Sequence, residues 1–141
     1  MSYSFRPLDP IRLPLIQRFY KSYYPSGKAK RDEAIWTVEK DGQIIGCVRF
    51  RQFEEGQLLT GMVIQPDYRR AGIASQLMKA CETQTASKPC YCFAYPQIEG
   101  LYAKQGFVAI EEGELPYPFN ELFIRYSQGK KKLIPMVRIA C

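Results

Sequence analysis

The chain has 141 residues, of which 46% are hydrophobic and 24% charged, and we expect one folded domain over residues 1–141 rather than a disordered chain. Twenty lysines and arginines against fourteen acidic residues give a formal net charge of +6, which favours anionic ligands without identifying them. There is no histidine, which excludes Ser-His-Asp and Cys-His catalysis, histidine-ligated zinc and an imidazole general base. Any proton transfer must use carboxylates, tyrosine, cysteine, lysine or water.

The cysteines indicate a reducing compartment. Their number is odd and no CxxC pair occurs, so we predict reduced thiols in a cytoplasmic protein, with neither a disulfide framework nor a metal site. The five are Cys47, Cys81, Cys90, Cys92 and Cys141. The first residues lack the apolar run of a signal peptide, and no apolar run approaches ~18 residues, so neither secretion nor a membrane span is expected.

The first half of the chain predicts a helix followed by three antiparallel strands. The helix is expected over 15–23, where apolar residues follow helical spacing after two prolines. Two strands, 34–39 and 44–50, flank Asp41-Gly42, which is a strong hairpin signal. A third strand is expected over residues 58–64, and Gly61 inside it indicates a bulge or a close backbone approach.

The second half alternates helices and strands. We predict helices over 72–84 and 98–104, and strands over 90–94, 107–110 and 122–126. The last residues combine Lys130-Lys131-Lys132 with an apolar segment, 133–137, that should pack on the domain or pair with another subunit. This order predicts an α+β fold, in which helices cover both faces of one mixed, largely antiparallel sheet.

The connection between the third strand and the next helix is the segment that indicates chemistry. The predicted helix begins without a capping serine or aspartate, so its first N–H groups are free for an external acceptor. Gly72 admits close approach to the backbone, and Arg69 and Arg70 add positive potential at the same place. Together these features favour an anion site suited to a pyrophosphate. The alternative is a plain connection with two solvated arginines, and neither GxxxxGK[ST] nor GxGxxG is present.

Two motifs resemble the GNAT N-acetyltransferase superfamily. Arg69-x-x-Gly72-x-Ala74 is similar to its acetyl-CoA-binding motif, Gln/Arg-x-x-Gly-x-Gly/Ala, and residues 101–107 resemble a short helix that ends in Gly-Phe before a strand. The resemblance covers about residues 34–126 and includes the element order. It implies a V-shaped split between the central parallel strands, and an acetyl-CoA-dependent enzyme that transfers acetyl directly to a primary amine.

The resemblance also implies where acetyl-CoA would bind. Main-chain groups of Met62, Val63 and Ile64 would pair with the pantetheine arm like an added strand. The backbone amides that would hold the pyrophosphate belong to Arg69, Arg70, Ala71, Gly72, Ile73, Ala74 and Ser75. Tyr95 stands where many members have an asparagine, so the side-chain contact which that asparagine makes is not implied here.

For catalysis, Tyr102 occupies the position that often serves as general acid in the family. A phenol is normally protonated at neutral pH and can donate to a departing thiolate; the alternative is a tyrosine that only packs the short helix. Many members carry a glutamate where this chain has Leu58. Glu54 and Glu55 lie in the preceding turn, and the preferred account is a water-relayed base or an amine that is already partly neutral.

The acceptor amine is not identified by the sequence. The resemblance places it between the first helix and later loops, near Tyr20, Tyr23, Tyr24 and Arg31 on one side and residues 117–120 on the other. A non-catalytic acyl-CoA sensor stays open as an alternative, as does a homodimer. A run of three lysines is usually solvated, so nucleic acid is not an expected partner.

Overall fold

The computed structural model describes residues 2–129 and 132–139. Its helices are α1 Leu13–Tyr23, α2 Ile73–Ala80, α3 Glu82–Thr85, α4 Glu99–Ala103 and α5 Phe119–Tyr126. Its strands are β1 Ser4–Pro7, β2 Ala34–Lys40, β3 Gln43–Phe53, β4 Gly56–Ile64, β5 Cys90–Ala94, β6 Val108–Ala109 and β7 Ile134–Arg138. Short 3-10 helices span Pro10–Arg12, Pro66–Tyr68, Pro96–Ile98 and Glu112–Glu114. Within the described ranges, no helix has both the length and the apolar character needed to cross a membrane.

In the described part of the chain, seven strands form one sheet in the order β1-β2-β3-β4-β5-β7-β6. The pairs β1–β2, β2–β3, β5–β7 and β6–β7 are antiparallel. The pair β4–β5 is parallel, and its register covers Gln57–Leu59 against Cys90–Cys92. The predicted α+β class, with a mixed and largely antiparallel sheet, is confirmed.

The chain divides into two compact units. The first contains residues up to Gln52 together with Thr60–Cys81, and the second contains Phe53–Leu59 and the residues from Glu82 onward. Strand β4 contributes its first residues to the second unit and its last residues to the first. The single domain expected from the sequence stays a prediction.

In the first unit, α1 packs on strands β2, β3 and β4. Its buried side chains recur at helical spacing, and they meet residues from the strands and from the loop after α1. This cluster consists of Leu13, Ile16, Phe19, Tyr20, Ala29, Ile35, Cys47 and Val63. On these strands Val38 and Ile64 both lie against Gly46, whose added Cβ would stand 2.6 Å from Ile64 Cδ1. Helix α2 contacts β1 and β2.

In the second unit, α5 covers the start of β4 together with β5 and β7. The cluster consists of Leu58, Tyr91, Leu115, Phe119, Leu122, Phe123 and Val137. The ring of Tyr91 stacks on that of Phe119, with centroids 4.2 Å apart. The strand predicted over residues 122–126 is wrong, because this segment belongs to α5. Its β-branched and aromatic residues favour a strand locally, but burial at positions 119, 122 and 123 follows helical spacing.

Three further elements differ from the sequence predictions or complete them. Strand β1 was not predicted, because it is a short edge strand of mostly exposed residues that ends in a proline. The helix expected over residues 72–84 breaks at Cys81 into α2 and α3. The apolar segment 133–137 packs within the chain as β7, between β5 and β6. Of the basic tail, Lys130 and Lys131 lie outside the described residues, as does Cys141.

Candidate active site

The end of β4 presents main-chain groups on two sides. The Gln65 N–H donates to the Ile45 carbonyl of β3 at 2.7 Å, so this group points toward β3. The Ile64 carbonyl belongs to the same planar trans peptide and therefore points the opposite way. It accepts a hydrogen bond from Arg69 Nε at 2.8 Å. Met62, Val63 and Ile64 all lie beyond the β4 residues that pair with β5.

This hydrogen bond gives Arg69 a role that the sequence did not suggest. Its guanidinium closes the connection back onto β4, across the 3-10 helix Pro66–Tyr68. The Arg69 N–H donates to the Pro66 carbonyl at 3.2 Å, so the main chain of this residue is also engaged. Of the amides that the resemblance assigned to a pyrophosphate, Arg69 therefore has an internal partner.

The next six residues leave their main-chain donors available. Helix α2 begins after Gly72, which has no side chain to cap it. The first helical hydrogen bond is donated by the Gln76 N–H to the Gly72 carbonyl, at 3.1 Å. Within the described ranges, the N–H groups of residues 70–75 donate to no protein acceptor. These residues contain the Gly72 and Ala74 positions of the sequence motif, whose first position is Arg69.

The backbone conformation brings these donors together. Arg70 and Gly72 have φ values of +66° and +75°, both in the left-handed region, on either side of Ala71. Successive N–H groups in such a turn form a concave nest for anions, and the positive end of the α2 dipole adds to it. A Cβ built on Gly72 would meet no atom within 4 Å, so the space above this glycine is open. The turn before α2 therefore presents several unpaired main-chain donors beside open space.

The predicted acid lies in the second unit. Tyr102 is in α4 and is only 4% exposed, with its ring centroid 5.9 Å from that of Phe107 in an edge-on contact. Gly106, with φ +90°, ends this helical segment, and the Phe107 N–H donates to the Tyr102 carbonyl at 3.2 Å. The helix–Gly–Phe element of the sequence motif is thus formed as expected.

The positions considered for a general base hold either an apolar residue or an exposed glutamate. Leu58 is fully buried in the cluster under α5, so this position supplies only packing. Glu54 and Glu55 are exposed in the turn before β4. Tyr95, at the asparagine position of the family, precedes the 3-10 helix Pro96–Ile98 and is exposed.

The residues suggested for the acceptor divide into a buried group and an exposed one. Tyr20 is a core residue with 1% exposure, whereas Tyr23, Tyr24 and Tyr117 are exposed. Arg31 is exposed and lines a small cavity together with residues of α1 and β2. In the acidic loop after β6, the side chains of Glu111 and Glu114 accept hydrogen bonds from each other's main chain and cap the 3-10 helix Glu112–Glu114.

A buried polar cluster around Tyr20 was not recognised from the sequence. Tyr20 Oη donates to the Gly61 carbonyl at 2.6 Å. The Arg49 guanidinium lies 5.2 Å from the Tyr20 ring centroid and forms a 2.8 Å ion pair with Glu33. Burial raises the pKa of the neighbouring Cys47 thiol to about 12. The close approach predicted at Gly61 was the only sequence signal of this cluster.

Comparison with known proteins identifies the fold and the family. A family model described as an acetyltransferase (GNAT) domain matches residues 31–109. "Probable N-acetyltransferase 14" of Danio rerio is 26% identical over 123 residues, which cover 70% of this chain and 44% of the relative. The chain thus spans less than half the length of that relative.

Two solved structures have the same fold. N-acetylglutamate synthase from Neisseria gonorrhoeae, complexed with coenzyme A and N-acetyl-glutamate, superposes with a TM-score of 0.70 at 15% identity, over 100% of this chain and 36% of that chain. The ribosomal-protein-S18-alanine N-acetyltransferase from Escherichia coli gives 0.66 at 14% identity, over 99% and 96%. The family match covers more than half of the sequence and contains both motifs. The chain therefore belongs to the GNAT acetyltransferase family.

Proposed function

We propose that the chain is an acetyl-CoA-dependent N-acetyltransferase, which passes the acetyl group directly to a primary amine. The observation that carries this proposal is the run of main-chain N–H groups over residues 70–75 that have no acceptor in the described part of the chain. The run lies inside the segment matched by the family model, which extends over residues 31–109.

The cosubstrate fits the charge and shape of this loop. The amides of residues 70–75 hold the pyrophosphate, and the exposed Arg70 adds a positive side chain beside them. The pantetheine arm runs along the main chain of Met62, Val63 and Ile64, on the side of β4 that points away from β3. In this arrangement Arg69 shapes the loop through Ile64 and contributes its charge at longer range.

The chemistry requires no covalent enzyme intermediate. The amine nitrogen attacks the thioester carbonyl carbon, the C–S bond breaks, and the CoA thiolate accepts a proton from Tyr102. The proton lost by the amine passes to water, since the buried Leu58 at the family glutamate position cannot accept it, and Tyr102 is reprotonated from water. The described cysteines are buried thiols and take no part in this route.

A pair of glycine variants tests the cosubstrate site. Gly72→Ala and Gly42→Ala both place a Cβ at a left-handed residue, with φ +75° and +79°, and neither Cβ meets an atom within 4 Å. Each should therefore cost about 1 kcal/mol of folding stability. Only Gly72→Ala fills space next to the proposed pyrophosphate amides, and we expect it to raise the calorimetric Kd for acetyl-CoA about tenfold or more.

The Gly42→Ala variant lies in the β2–β3 turn and should bind acetyl-CoA like the unaltered protein. Equal Kd values for the two variants would contradict the site. Failure of the unaltered protein to bind acetyl-CoA would contradict the proposed function itself.

An amine panel separates an enzyme from a binding module. Polyamines, amino acids, aminoglycosides, peptide N-termini and lysine peptides would be tested for release of the CoA thiol. Thiol detection is favourable here because the four described cysteines are buried. Release with one class of amine supports catalysis. Tight acetyl-CoA binding without release from any amine would favour the non-catalytic acyl-CoA sensor, an alternative to which the buried Leu58 gives some support.

A further inference from the structure

Helix α1 places a hydroxyl group on the main chain of β4. Tyr20 is almost completely buried, and its Oη donates to the Gly61 carbonyl at 2.6 Å. This is a short hydrogen bond between residues 41 positions apart in the sequence. It joins α1 to the strand that carries the proposed pantetheine contacts, one residue before Met62.

Gly61 is required by both conformation and space. Its φ of +65° lies in the left-handed region, which turns its carbonyl toward Tyr20. A Cβ at this position would stand 2.6 Å from Tyr20 Oη and 2.8 Å from Arg49 Nε. Two polar side chains therefore converge on one glycine in the middle of β4.

Arg49 packs against the Tyr20 ring, with its guanidinium 5.2 Å from the ring centroid. Its Nη1 donates to both carboxylate oxygens of Glu33, at 2.9 and 2.8 Å, and to the Lys28 carbonyl at 2.8 Å. Its Nε is buried and has no hydrogen-bond partner in the part of the chain that the structure describes. Burial, together with the neighbouring Cys47, raises the pKa of Tyr20 well above its usual value. The phenol thus stays protonated and keeps donating to Gly61.

The hydrogen bond acts on the next amide as well. The Gly61 carbonyl and the Met62 N–H belong to one planar trans peptide, so the N–H points opposite to the carbonyl, away from Tyr20. Donation to the carbonyl polarises the peptide, and a polarised peptide has a stronger N–H donor. Tyr20 therefore sets both the direction and the strength of the Met62 donor.

We propose that Tyr20 is a positioning residue that acts through the Gly61–Met62 peptide, and that it holds the Met62 N–H against the acyl carbonyl of bound acetyl-CoA. This inference rests on the proposed function, and what it adds is a buried residue of α1, outside the proposed acetyl-CoA contacts, that orients one of them. Arg49 and Glu33 keep the phenol in place, and they do not touch the ligand.

The test compares acetyl-CoA with CoA, so it requires no acceptor amine. Calorimetric Kd values for both ligands would be measured with the unaltered protein, Tyr20→Phe and Tyr91→Phe. Tyr91 is another buried tyrosine, in the other unit, and Tyr91→Phe controls for the loss of a tyrosine hydroxyl as such. We expect Tyr20→Phe to weaken acetyl-CoA binding about three- to tenfold while the Kd for CoA changes by less than about twofold. Tyr91→Phe should change neither.

Amide resonances give a readout that does not depend on ligand. In Tyr20→Phe, the Met62 amide proton and nitrogen signals of the free protein should move upfield, and in Tyr91→Phe they should stay in place. An unchanged Met62 signal, or an equal loss of affinity for acetyl-CoA and CoA, would overturn the positioning role alone. If the unaltered protein bound neither ligand, the proposed function would fail, and this inference with it.

Discussion

Two buried tyrosines of the second unit give the sharpest test of the chemistry at the scale of single residues. Tyr102 lies in the helix–Gly–Phe segment, whereas Tyr91 stacks on Phe119 under α5. If Tyr102 is the acid, Tyr102→Phe should lower kcat about a hundredfold, because the departing thiolate then lacks its donor. The Kd for acetyl-CoA should stay within about twofold, since this ligand is held by main-chain groups.

Steady-state kinetics with an accepted amine, together with acetyl-CoA calorimetry, would measure both quantities. Tyr91→Phe removes the hydroxyl of another buried tyrosine of the same unit and is expected to keep its kcat. A Tyr102→Phe protein with full turnover would remove Tyr102 from the mechanism and leave it a packing residue of α4.

Single residues also show where sequence reasoning stops. Gly72 and Gly61 were recognisable because a glycine in an otherwise regular pattern indicates an unusual φ or a close approach. The Arg69–Ile64 hydrogen bond and the Arg49–Glu33 ion pair were not, because nothing in the spacing of these residues distinguishes them from solvated charges. Such partners become visible only when the strands and loops are placed in space.

At the scale of elements, α5 carries the clearest prediction about stability. In a strand, Leu122 and Ile124 would share a face, whereas in the helix Phe123 is 6% exposed and Ile124 is 57% exposed. We therefore expect Phe123→Ala to cost about 3–5 kcal/mol, because it opens a cavity beside Phe93 and the core cluster. Ile124→Ala should change stability by less than about 0.5 kcal/mol.

Urea denaturation of the two variants would measure the difference. A large cost at Ile124 with a small one at Phe123 would contradict the helix and restore the strand that local propensity favours.

The elements that were predicted correctly are those with strong local signals. The β2–β3 hairpin follows from Asp41-Gly42, and both residues have the positive φ that this turn type needs. Helix α1 follows from its apolar spacing, which the buried residues reproduce. Strand β1 and helix α5 were not predicted, because their formation depends on partners distant in sequence. Strand β1 pairs with β2. Helix α5 packs on Leu58, Tyr91 and Val137.

For the whole molecule, buried neutral thiols and phenols make stability depend on alkaline pH. Burial raises the pKa of both Cys47 and Cys81 from 9.0 to about 12. Well below pH 9 these thiols are protonated in the folded and unfolded chains alike, so they give no pH dependence there. Between pH 9 and 12 the unfolded chain loses protons that the folded chain keeps. Each thiol should then lower the free energy of unfolding by about 1.4 kcal/mol per pH unit.

Urea denaturation at pH 8, 9 and 10 would measure this slope. In Cys81→Ala, the free energy of unfolding should fall less steeply with pH, because one fewer thiol loses its proton on unfolding. This holds even if the variant is less stable at every pH. A free energy of unfolding that stays constant from pH 9 to 10 would show that the buried thiols ionise as easily as in the unfolded chain.

The nest at the start of α2 has a consequence for how such a site is encoded. Its donors are backbone amides, so every residue except proline supplies one, whatever its side chain. The proposed site therefore makes few demands on the sequence: no proline over residues 70–75, and at position 72 a residue that accepts a φ of +75° and leaves the open space above it to the ligand. A binding site made of main-chain amides therefore tolerates many side-chain substitutions at the neighbouring positions.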